Sequence, residues 1–95
     1  MQSVNPATGE VVESYDELSE AQLETALATA SDTFASWSQT DLGQRARLLE
    51  AAAGHLRDNA ARFGELITRE VGKPLAEARG EVEKCAWVCE YYAEH

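Results

Sequence analysis

Apolar residues return every three or four positions from Leu23 to Tyr92, and few architectures other than packed helices satisfy that spacing. Leu23, Leu27, Ala30, Phe34 and Trp37 form the first stripe. Ser19 stands before it as a cap, and Gln22 three residues on completes a capping box. A first helix is therefore predicted from Ser19 to Trp37, ended by the polar run Ser38-Gln39-Thr40. A second helix is predicted from Asp41, again with a Gln three residues later. Its apolar positions are Leu42, Ala46, Leu49, Ala53 and Leu56, with Leu48 and Ala52 widening the face. Asp58-Asn59 marks a bend or a new cap, because short polar side chains compete with helical backbone bonds. The pattern resumes at Phe63, Leu66 and Ile67, and Gly72 stops it as a left-handed cap does. A last helix is predicted from Pro74 at its first position, where a missing N–H costs little. Leu75, Ala78, Val82, Cys85 or Ala86, Cys89 and Tyr92 or Ala93 make its inner face. Glu77, Arg79, Glu81, Glu83 and Lys84 make the outer one.

Residues 3–15 read differently. Asn5-Pro6-Ala7-Thr8-Gly9 is turn chemistry, since Pro fixes φ and Gly permits positive φ. Val11, Val12 and Tyr15 then supply strand formers, so a hairpin is expected. An isolated hairpin is marginal in water and should pack on something. The expected fold is mainly α: a short N-terminal β-hairpin at 1–16, then three or four helices at 17–95. With 95 residues the chain holds one small domain at most, with a modest core.

Seventeen acidic residues face eight basic ones, giving a net charge of −9. Phosphate backbones and anionic lipid surfaces attract Lys and Arg, so neither nucleic acid nor membrane is an expected partner. No apolar run approaches the ~20 residues of a membrane span. The opening residues lack the basic and then apolar regions of a signal peptide, so a cytoplasmic location is expected.

The residues that could carry chemistry are few. Cys85 and Cys89 lie four apart on one helix face. Their Cβ vectors are poorly set for a bridge, and reduced thiols are expected. Two thiols are half of a structural zinc site, and the other soft donors, His55 and His95, have no matching spacing. A packed or half-buried pair is the simpler reading. His55 has no sequence neighbour that would make it a base, and His95 fits a frayed end. Gly72-Lys73-Pro74 is not a phosphate loop, because no Gly-rich run precedes it and Pro follows the Lys. Trp37, Trp87, Tyr91 and Tyr92 could stack on a ring, but their helical spacing favours packing. Glu77 and Glu81 share a helix face, Glu81 and Glu83 do not, and a solvated face accounts for them. No metal site is expected.

Three segments carry a resemblance to a known family. Asn5-Pro6-Ala7-Thr8-Gly9-Glu10-Val11 resembles the opening of the aldehyde dehydrogenases. Leu66-Ile67-Thr68-Arg69-Glu70-Val71-Gly72-Lys73-Pro74-Leu75-Ala76-Glu77-Ala78 resembles a further family segment. The stretch from Gly80 to Glu94 is most similar to the succinate-semialdehyde dehydrogenase branch. The match runs from about Val4 to His95, with the segments in the family's order. The resemblance implies an N-terminal fragment of an NAD- or NADP-dependent enzyme with the α/β aldehyde dehydrogenase fold. Residues 17–95 would then be a helical part of an incomplete cofactor-binding domain. In the parent a thiolate attacks the aldehyde, hydride passes to NAD(P)+ and water releases the acid. The family's nucleophilic Cys, general-base Glu and Rossmann-like sheet lie beyond the residues matched, so no catalytic or cofactor-binding residue is carried over, and Cys85 and Cys89 do not inherit the nucleophile's role.

The fragment itself is therefore expected to be inactive and to bind no cofactor. Its expected partners are the remainder of the parent enzyme and, through apolar helix faces left uncovered, a second copy of itself. The alternative is a stand-alone helical interaction module without enzymatic activity.

Overall fold

A computed structural model describes all residues, Met1 to His95. Strands β1 (Gln2–Val4) and β2 (Val11–Ser14) precede helices α1 (Glu20–Trp37), α2 (Leu42–Asp58), α3 (Ala60–Val71) and α4 (Leu75–Glu94). The mainly helical expectation holds, with four helices.

The strands pair antiparallel, Gln2 with Ser14, Ser3 with Glu13 and Val4 with Val11. Val12 is the extra residue of a bulge. The turn between them is built as its residues dictate. Asn5 Oδ1 accepts from the Ala7 N–H at 2.9 Å, the Gly9 N–H donates to the Asn5 carbonyl at 2.8 Å, and Gly9 takes φ 75°.

Helix ends follow local chemistry. The Ser19 hydroxyl accepts from the Gln22 N–H at 3.3 Å, and the Gln22 side chain accepts from the Ser19 N–H at 2.9 Å, a complete capping box. At α2 only half of that arrangement forms: Asp41 Oδ1 accepts from the Gln44 N–H at 2.8 Å, with no return bond from Gln44. Asn59 breaks the chain between α2 and α3 at φ −112°. It closes the end of α2 by donating its side-chain amide to the His55 carbonyl at 2.9 Å, and it gives α3 no side-chain cap. Gly72 ends α3 at φ 73°, in the left-handed region where its N–H returns to the Thr68 carbonyl. Pro74 is the cap of α4 rather than its first helical residue. Its ψ of 136° is still extended, and only its carbonyl joins the helix, accepting from the Ala78 N–H.

Packing is concentrated on α4, which lies against both α2 and α3. The fully covered residues are small: Ala53, Gly64, Ala78, Val82 and Ala86. Ala78, Val82 and Ala86, with half-buried Cys89 and Ala93, form the inner stripe of α4. Leu75, Cys85 and Tyr92 lie outside it, the alternatives Ala86 and Ala93 having taken the inward positions. On α2, Leu49 and Leu56 flank buried Ala53, whereas Leu48 and Ala52 face outward. A Cβ on Gly64 would stand 2.8 Å from Arg79 Cγ, so the missing side chain lets α3 and α4 approach closely.

The hairpin is moored to the C-terminal end of α3. The Ser3 hydroxyl donates to Glu70 Oε1 at 3.0 Å, and Pro6 Cγ lies 2.9 Å from where a Gly72 Cβ would be. Helix α1 is not moored in this way. Every residue from Glu20 to Trp37 is exposed, so the stripe Leu23/Leu27/Phe34 finds no cover within the chain. The hydroxyls of Thr25, Thr29 and Thr33 each donate to the carbonyl four residues earlier, at 2.7–2.8 Å. The molecule is flat, 47 × 38 × 17 Å, with a radius of gyration of 17.3 Å. A compact domain of this length has a radius near ~12 Å.

Candidate functional site

Two groups of polar side chains organise the surface. Arg57 reaches from α2 to α4, where Glu83 and Glu90 stand seven residues apart. Its Nε donates to Glu83 Oε1 at 2.9 Å, and its two terminal nitrogens donate to the two oxygens of Glu90 at 2.5 and 2.9 Å. The two bonds to Glu90 make the planar fork-to-fork pairing that only Arg provides. The Arg57 side chain is 34% exposed, so this is a boundary pair and not a core one. The hydrogen bonds from Glu90 and then Glu83 raise the Arg57 pKa beyond its already high ordinary value. The bond from Arg57 holds the Glu90 carboxyl below its usual range. Glu83 was expected on the solvated outer face, and it instead joins this bridge. Charges on facing helices decide that placement, and helical periodicity alone does not register them.

Arg45 forms the second group. Its Nε donates to Thr40 Oγ1 at 2.9 Å, and Nη2 donates to the carbonyls of Trp37 and Ser38 at 3.0 and 3.3 Å. The guanidinium also lies 5.4 Å from the Trp37 ring centre. It thus binds the turn between α1 and α2 at several points. The polar run Ser38-Gln39-Thr40 signals a turn in the sequence, but nothing local to it signals that Arg45 would fix it.

The residues weighed for chemistry are scattered. Cys85 is exposed and Cys89 half-buried, both as free thiols on α4. No three His, Cys, Asp or Glu side chains stand close enough to share a metal ion. His55 lies 5.9 Å from the Phe63 ring, and His95 stacks on Tyr91 at 4.5 Å. Lys73 donates to Glu81, which raises the Lys73 pKa. Gly72-Lys73-Pro74 is thus a helix stop and restart held by an ion pair. Of the aromatic residues expected to pack, Trp37 lies beneath Arg45 and Tyr91 on His95, whereas Trp87 and Tyr92 are each 65% exposed. Lys84, Trp87, Val88, Tyr91 and Tyr92 line an open apolar groove on the outer side of α4. That face is turned away from α2 and α3.

A dinucleotide pyrophosphate needs free backbone N–H groups at a helix start. Here α1 opens on the Ser19–Gln22 box followed by Glu20, and α2 opens on the Asp41 carboxylate. The start of α4 has Pro74, which lacks an N–H, and Glu77 in its first turn. These three ends are occupied or anionic, whereas α3 opens with no side-chain cap and no acid in its first turn, and no catalytic step is derived from any of them.

No helix is long and apolar enough to cross a membrane. The model of the aldehyde dehydrogenase family matches residues 1–95. The chain is 40% identical over 93 residues to the NAD(P)+ succinate semialdehyde dehydrogenase Sad of Escherichia coli strain K12, covering 98% of this chain and 20% of that enzyme. It is equally similar, over the same shares, to the NADP+ succinate-semialdehyde dehydrogenase 1 of Mycobacterium tuberculosis strain H37Rv. The crystal structure of succinic semialdehyde dehydrogenase from Streptococcus pyogenes, solved with NADP+ as cofactor, superposes with a TM-score of 0.91 at 33% identity. That superposition covers 98% of this chain and 21% of the other. The chain spans about a fifth of the length of the relatives it matches. Over that fifth both its sequence and its fold are the family's, and the chain belongs to the aldehyde dehydrogenase family.

Proposed function

We propose that this chain serves as the opening structural segment of an NAD(P)-dependent aldehyde dehydrogenase whose whole enzyme oxidises succinate semialdehyde, or a related aldehyde, to the acid. The observation that carries this reading is the fit of nearly the whole chain, in sequence and in fold, to one segment of such enzymes. The segment's own work is scaffolding. The hairpin is held against α3 through Ser3–Glu70 and Pro6–Gly72, and α4 is held against α2 through Arg57. The remaining four-fifths supplies the nucleophile, the base and the cofactor sheet. By itself the chain turns over no aldehyde.

A chimera tests the reading. The matched 93 residues of the Escherichia coli enzyme are replaced by those of this chain, and NADPH formation from succinate semialdehyde is followed. The expected result is an active chimera and no NAD(P)H from the 95-residue chain alone. A folded but inactive chimera would favour a helical interaction module, and turnover by the isolated chain would refute the scaffold role.

A further inference from the structure

We draw no further inference here: the strongest candidate, the exposed apolar stripe Leu23/Leu27/Phe34 of α1 with the Lys84–Tyr92 groove on the outer side of α4, carries nothing, because the chain spans about a fifth of its relatives' length and nothing in the structure shows what covers either surface.

Discussion

Gly72 and Gly54 show how much a single position depends on its backbone. Gly72 has φ 73°, and a Cβ there would stand 2.9 Å from Pro6 Cγ. Gly54 lies inside α2 with nothing within 4 Å of its would-be Cβ. Gly54→Ala should therefore raise stability by ~0.5–1 kcal/mol, since helical Gly carries an entropic cost that Ala does not. Gly72→Ala should lower it by about 1–2 kcal/mol from the left-handed backbone alone, and further through Pro6. Urea denaturation of the two variants beside the parent chain is the measurement, and equal signs would refute the assignment. The role of Gly72 as a stop could be read from Gly-Lys-Pro following an apolar run. Its contact with Pro6, which joins two segments 66 positions apart, could not, because no local pattern encodes which turn meets which helix end.

Among the elements, α2 and α4 are tied by Arg57, and this tie titrates. The Arg57 hydrogen bond lowers the Glu90 pKa. The stabilisation from ionised Glu90 is therefore complete above the carboxylate's unfolded value, near ~4.3. It is lost as the pH falls through the lower folded value. Urea midpoints of the parent chain should drop on acidification through that window, and Glu90→Gln should flatten the drop. Identical slopes would mean that the pair contributes nothing to stability. Helix starts and stops were largely legible, because Ser19, Asp41, Asn59 and Gly72 act on their immediate neighbours. The partners of each face were not. Periodicity gives α1 and α4 apolar stripes of similar appearance, yet part of one is buried and the other is bare. The inward position of Glu83 was missed for the same reason, although two carboxylates seven apart on one helix can jointly face an Arg on its neighbour.

Across the whole molecule, cohesion is uneven. Ala53, Ala78, Val82 and Ala86 are the covered residues where α4 packs on α2 and α3, and amides there should exchange slowest with solvent. Those of α1, every residue of which is exposed, should exchange fastest. Equal protection of α1 and α4 would refute that ranking. The hydroxyls of Thr25, Thr29 and Thr33 run along the side of α1 opposite the Leu23/Leu27/Phe34 stripe. Each already spends its proton on its own helix, so this ridge asks little donation of the surrounding water. Stripping solvent from that side would strand no hydroxyl donor.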